Sequence, residues 1–187
     1  MADARRALAD HVELAGRVEA LLPRVEELVQ AVVRCYERGG HVYTLGNGGS
    51  ATESLHFAEE LVARFRRERR PLAAQSLAAD PSVLTCIAND YEYADVFARQ
   101  VRAFVRPGDV AVAFSTSGKS ENVVRALATA RELGATTVLF GGGDGGAAAE
   151  HAEIALVVPS ASTARVQEMH VLLLHLVLEE VDEWAAA

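Results

Sequence analysis

Several classes of protein are ruled out by what this chain lacks. Only two of its 187 residues are cysteine, Cys35 and Cys86, and they lie far apart. This excludes a disulfide framework and a CxxC metal motif, and it points to a reduced cytoplasm in which both thiols are core residues rather than nucleophiles. No unbroken apolar run is present either. The first 22 residues, MADARRALADHVELAGRVEALL, carry charges every few positions, so neither a signal peptide nor a membrane span is expected. Positive charge is in deficit, with 18 Lys and Arg against 26 Asp and Glu and a formal net charge of -8. General attraction to nucleic acid or to an anionic membrane is therefore excluded, although a local basic patch is not.

What is present is a globular balance of 50% apolar and 24% charged residues, unlike a disordered or collagen-like chain. The length suits one core, so residues 1–187 are expected to form a single domain. Within it, residues 2–38 carry apolar side chains at helical spacing, from Leu8, Val12 and Ala15 to Val32, Val33 and Tyr36, with two helices meeting at Pro23. These helices hold more apolar surface than one small sheet covers, and residues 1–38 are expected to be used in oligomerisation.

Beyond Gly39 and Gly40, strands and helices alternate. The spacing predicts strands at 41–45, 72–78, 109–114, 136–140 and 153–158. It predicts helices at 49–65, after the Asp80-Pro81-Ser82 turn, at 91–104, after the loop at 115–120, and at 161–183. Near-continuous apolar strands separated by helices indicate an α/β fold: a doubly wound, five-stranded parallel sheet flanked by helices, with an N-terminal helical extension.

Ligands of such sheets collect beyond the carboxyl ends of the strands. Two loops there stand out. In LGNGGSAT, at 45–52, Gly46, Gly48 and Gly49 let the backbone approach a ligand and open directly into a helix, although a plain tight turn would use the same residues. STSGKS, at 115–120, offers the hydroxyls of Ser115, Thr116, Ser117 and Ser120, a glycine for curvature and the free N–H groups of a helix start. That combination suits a phosphate, whereas ordinary N-capping needs one hydroxyl.

Both loops mimic nucleotide motifs. GNGGSA fits G-x-G-x-x-A, but the acidic residue expected about 20 positions later falls in FRRERR rather than at a strand end. AFSTSGKS departs from the phosphate-loop pattern at Ala113, and no later strand ends in the aspartate that helps hold magnesium.

Helical positions supply titratable groups. His56 and Glu60 are four apart and share a face, as metal ligands, acid-base groups or a surface hydrogen bond. Gln167 and His175 lie eight apart, about 80° around the axis, so they can face the same space. His175 stands in the apolar run VLLLHLVLEE, where a histidine is either a satisfied core residue or a functional group held dry.

GNGGSATESLHFAEEL, CIANDYEYADVF, STSGKSENV and RVQEMHVLLLHLVLE, in that order, resemble the phosphoheptose isomerases of the sugar isomerase (SIS) superfamily over most of the chain. The resemblance implies a flavodoxin-like SIS domain. It also implies an aldose-ketose isomerase that interconverts sedoheptulose 7-phosphate and D-glycero-D-manno-heptose 7-phosphate through an enediol(ate), as a cytoplasmic homotetramer with sites between subunits. Matched to the family's motifs, Glu60 and His175 fall on the catalytic pair. His56, Glu60, Gln167 and His175 fall on the residues that hold zinc in zinc-containing members. Ser115, Thr116, Ser117 and Ser120 match the phosphate loop, and Asn47, Gly48, Gly49, Ser50, Glu60, Arg64, Asn89, Asp90 and Gln167 match substrate-contacting positions.

Departures lie in PSVLTC and in RFRRERR, whose five arginines read most simply as a solvated or intersubunit face, with Arg64 within reach of a sugar. The other reading of the chain is a non-catalytic SIS protein, a sugar-phosphate-binding regulator or a replication-linked adaptor. Such a module has no chemical need for Glu60 and His175 together.

Overall fold

Strands that are apolar on both faces need cover on both sides, and the arrangement of elements supplies it. The computed structural model describes residues 2–187. Five strands, β1 (Val42–Gly46), β2 (Ala74–Ser76), β3 (Val110–Ser115), β4 (Thr136–Gly142) and β5 (Ile154–Val158), form one parallel sheet in the order β2-β1-β3-β4-β5. Along β3 the side chains divide by size: Val110, Val112 and Phe114 enter one core, Ala111 and Ala113 the other. The larger core packs against α1 (Ala2–Arg17), α2 (Leu22–Glu37), α3 (Gly49–Val62) and α7 (Thr163–Ala186), and the smaller against α4 (Pro81–Asp90), α5 (Ala98–Phe104) and α6 (Glu121–Glu132). No helix among the described residues is long and apolar enough to cross a membrane.

The order reverses between β1 and β3, so the loops that follow these two strands flank a topological switch point. Register keeps their ends level: Gly46 pairs with Phe114, and Ser115 with Gly141. Both loops of interest therefore open on the same edge of the sheet.

Element boundaries differ from the sequence expectation in several places, four of which bear on the fold. Pro23 is the second residue of α2, where its missing N–H costs no hydrogen bond, and a 3-10 turn at Val18–Leu21 makes the junction instead. The strand expected at 72–78 shrinks to Ala74–Ser76 because this edge strand pairs only with β1. The helix expected at 91–104 is a 3-10 turn, Tyr93–Asp95, followed by α5 (Ala98–Phe104). Finally, α3 stops at Val62 rather than residue 65, and the cause lies in the arginine run.

Arg69 is not part of a solvated face. It donates to the carbonyls of Glu60 (2.7 Å) and Leu61 (2.9 Å) at the end of α3, and to Asp182 on α7 at 3.0 Å. The two side chains are 1% and 3% exposed. Asp182 also accepts from the backbone N–H groups of Arg66 and Arg67. Burial by itself would raise the Asp182 carboxyl, but these donors hold it below the usual carboxylate range. By contrast, Arg64, Arg66 and Arg67 are exposed and pair with Glu68, Glu179 and Glu183.

The N-terminal helices divide in the same way. Val25, Leu28, Ala31 and Val32 of α2 are buried in the core, whereas Leu8 and Val12 of α1 are 66% and 65% exposed. α1 is tied to α7 by polar contacts: His11 Nδ1 lies 2.6 Å from Glu168, and Arg165 donates to the carbonyl of Ala7 at 2.6 Å.

Removing one partner of a buried ion pair strands the other charge. Arg69→Ala and Asp182→Asn should each destabilise the protein by about 3–5 kcal/mol, whereas a paired Met/Leu replacement should recover most of that loss. Denaturant unfolding of the three variants checks this. Equal stability of Arg69→Ala and the native protein would contradict the clamp.

Candidate active site

The loop after β3 is shaped by its own hydroxyls. Ser115 Oγ accepts from the Gly118 N–H at 3.1 Å, and Ser117 Oγ accepts from the Lys119 N–H at 3.2 Å. Gly118 has φ +60°, and a Cβ there would overlap the Gly145 carbonyl, so only glycine lets the two loops meet. Ser120 caps α6 without spending its hydroxyl on a backbone N–H, which leaves that group free for a ligand. A hollow of about 60 Å³ lies between Asn47, Ser50, Phe114, Ser115, Thr116, Ser117 and Ser120. It has hydroxyl and amide donors and the N-terminal ends of α3 and α6, the components an anion needs.

Asn47 is held at this hollow by two residues that the sequence reading missed. Asn47 and Asn122 exchange amide hydrogen bonds, both 2.8 Å, and the Tyr93 hydroxyl donates to Asn47 Oδ1 at 2.9 Å.

A second, larger hollow of about 500 Å³ lies between α3 and α7, with Gly49, Thr52, Glu53, His56, Ala164, Gln167, Glu168 and Val171 on its walls. Gly49 lets the Gln167 amide lie against the start of α3, and a Cβ there would push that side chain aside. One turn further along α3 is the buried Glu53, whose Oε2 lies 3.4 Å from His170 Nδ1 on α7. No sequence argument singled out Glu53 or His170. The signal was there in the spacing of Ser50, Glu53, His56 and Glu60, three or four apart along one side of a helix.

Toward the end of α3, His56 Nε2 lies 3.4 Å from Glu60 Oε1. The His175 ring meets the His56 ring edge-on at 5.1 Å between centroids and stacks on Phe65 at 5.6 Å. The acid of the early helix and the imidazole of the closing helix are thus neighbours within a single chain. His56, Glu59 and Glu60 place ligand-type atoms within 4.8 Å of one another, a group able to hold a metal ion, with the exposed Glu59 as an unforeseen member. Burial depresses the His175 pKa, and the nearby His56 adds to the effect, against the opposing pull of Glu60 and Glu179.

Six residues expected at the site do not line either hollow: Gly48, Glu60, Arg64, Asn89, Asp90 and His175, of which Glu60 and His175 lie beyond the larger hollow next to His56. Arg64 points to solvent and pairs with Glu68 at 3.6 Å. Asn89 and Asp90 are exposed at the end of α4, where the Asn89 amide donates to Asp90 at 2.8 Å.

Known proteins resemble the chain closely. A family profile of the SIS domain matches residues 8–142. The phosphoheptose isomerase of Roseiflexus sp. (strain RS-1) is 47% identical over 165 residues, which is 88% of this chain and 84% of that protein. Among solved structures, the phosphoheptose isomerase from Neisseria gonorrhoeae superposes with a TM-score of 0.90 at 36% identity, over 98% of this chain and 100% of that one. The phosphoheptose isomerase from Francisella tularensis gives 0.93 at 32% identity, over 97% of both.

A depressed histidine pKa has a definite sign. The unfolded chain takes up this proton at higher pH than the folded one, so the contribution of His175 to stability falls as pH drops below the ordinary imidazole value of about 6.5. An NMR titration of the metal-free protein should show His175 with a midpoint below that of a free histidine. A midpoint above it would mean that Glu60, not burial, dominates the ring's surroundings.

Proposed function

This chain belongs to the phosphoheptose isomerases, enzymes built on the SIS domain, and from that premise we propose how its own residues carry out the conversion of sedoheptulose 7-phosphate to D-glycero-D-manno-heptose 7-phosphate and back. The observation that carries the reading is that Glu60 and His175 both adjoin His56, at 3.4 Å and with ring centroids 5.1 Å apart, on two helices whose other residues line the larger hollow.

The substrate's phosphate binds in the serine loop, where Ser115, Thr116, Ser117, Ser120 and Ser50 offer hydroxyls and the helix ends favour negative charge. Anchoring there supplies binding energy that orients the distant carbonyl end. Asn47, Gly48 and Gly49 bring backbone and amide groups against the sugar, and Gln167 reaches it from α7.

Glu60 takes the proton from the carbon beside the carbonyl and returns it to the neighbouring carbon, so that one base serves both steps through the enediol(ate). His175 moves the proton between the two oxygens. Its depressed pKa keeps the ring neutral near pH 7, which lets one nitrogen accept while the other donates. His56, Glu60, Gln167 and His175 would hold a zinc ion; of these, His56 and Glu60 belong to the cluster of donors within 4.8 Å that Glu59 completes, and when bound, zinc supplies polarisation of the carbonyl and stabilisation of the oxyanion. A glutamine ligand suits a labile metal.

The whole chain acts as one SIS domain, in the cytoplasm, as a homotetramer with active sites between subunits. Support comes from the exposed Leu8 and Val12 on α1 in the segment 1–38, and from Arg64, Asn89 and Asp90, which lie outside both hollows and would meet a substrate if a neighbouring copy completed the site. Cys35 is buried as expected, whereas Cys86 is exposed on α4 rather than in the core; both are free thiols, which suits a reducing compartment.

Incubation of the purified protein with sedoheptulose 7-phosphate should yield the aldose, and a chelator should lower the rate. Glu60→Gln should cut turnover about 10²- to 10⁴-fold, the usual weight of a general base, while phosphate-ester binding persists. Absence of turnover by the native protein would overturn the assignment. Light scattering should give four chains per particle, and a monomer would remove any shared site.

A further inference from the structure

We propose that Glu53 is a further substrate-binding residue, whose free carboxylate oxygen accepts a hydrogen bond from a hydroxyl midway along the sugar, and that His170 is the positioning residue that holds it. This rests on the sugar-phosphate reading of the two hollows.

Glu53 has a side chain 6% exposed, and its Oε1 is buried without any hydrogen-bond partner. A buried carboxylate oxygen with no donor is costly, and such groups in a folded protein call for an explanation. His170 does not satisfy it. Its Nε2 donates to the carbonyl of Gly141 at 3.0 Å and its Nδ1 lies 3.4 Å from the other oxygen, Oε2, so neither nitrogen of the fully buried ring is turned to Oε1. The pair holds Glu53 in one orientation and leaves a single acceptor spare.

The position of that acceptor indicates what it binds. Glu53 shares the wall of the larger hollow with Gly49, His56 and Gln167. Along α3 it lies three residues, or about 4.5 Å of rise, beyond Ser50 at the serine loop, and the same distance before His56. A sugar anchored by its phosphate and reaching toward His56 and Glu60 passes Glu53 with the middle of its carbon chain. The groups it carries there are hydroxyls, which donate to a carboxylate, and in surroundings shielded from water that bond is strong and selective.

The test is steady-state kinetics on native protein and Glu53→Gln with sedoheptulose 7-phosphate and its 4-deoxy and 5-deoxy analogues. For the native protein, one of the two analogues should lose about tenfold or more in kcat/KM, the scale of a hydrogen bond to a charged group. In Glu53→Gln that loss should shrink to less than about threefold, the signature of coupling between the residue and one hydroxyl. Competitive inhibition by inorganic phosphate should be unchanged in the variant.

A merely structural carboxylate would weaken all three sugars alike, and equal analogue penalties in both proteins would overturn the proposal. Should the variant fail to fold, the native series decides alone, because full tolerance of both deoxy sugars also overturns it. If the native protein binds these sugars without turning them over, the isomerase reading fails separately, and calorimetric binding of the same three compounds decides for Glu53.

Discussion

The side-by-side packing of α3 and α7 on one face of the sheet is the constraint on which the rest of the structure depends. The two helices run in the same direction and meet through a succession of close approaches: Gln167 over Gly49, His170 against Glu53, His175 against His56, and, just beyond α3, Asp182 against Arg69. Each pair fixes the next, because neither helix can slide without breaking several of them at once. The Arg69–Asp182 ion pair closes the series at the far end. It terminates α3 by taking its last carbonyls and so sets where Glu60 stands relative to His175.

Chemistry follows from having one end of this helix pair at the switch point of the sheet. There the loops after β1 and β3 surround a small hydroxyl-lined hollow, and the first turn of α3 forms part of its wall. An anion held at that end is remote from the acid and imidazole at the other, the separation that a phosphorylated sugar with a reactive carbonyl terminus requires. The helix serves as a spacer between anchoring and reaction, and small residues at its start let the backbone and Gln167 close in.

Buried polar groups carry the cost of this arrangement. Asp182 is fully satisfied, by two backbone donors and a guanidinium, and reads as structural. Glu53 has a polar neighbour at one oxygen, His170 Nδ1 at 3.4 Å from Oε2, and none at the other. The contrast separates a group that holds the fold from one that has been left ready for a ligand, since both are equally withdrawn from water and only one retains unused hydrogen-bonding capacity.

Much of this was legible from residue order. Apolar strands alternating with helices, glycines where two loops must approach, and a run of hydroxyls before a helix are local patterns with local causes, and they sufficed for the sheet, the two loops and the candidates on α3 and α7. The arginine run was misread in part, because Arg64 and Arg69 look alike in a string of charges, and only the fold decides that one meets solvent and the other a buried aspartate. Glu53 and His170 escaped notice for the same reason: they are 117 positions apart, and their pairing exists only once α3 and α7 lie on the same face of the sheet. Periodicity and motif chemistry are short-range properties that sequence determines by itself; which charges are buried, and against what, is a long-range property that only tertiary packing decides.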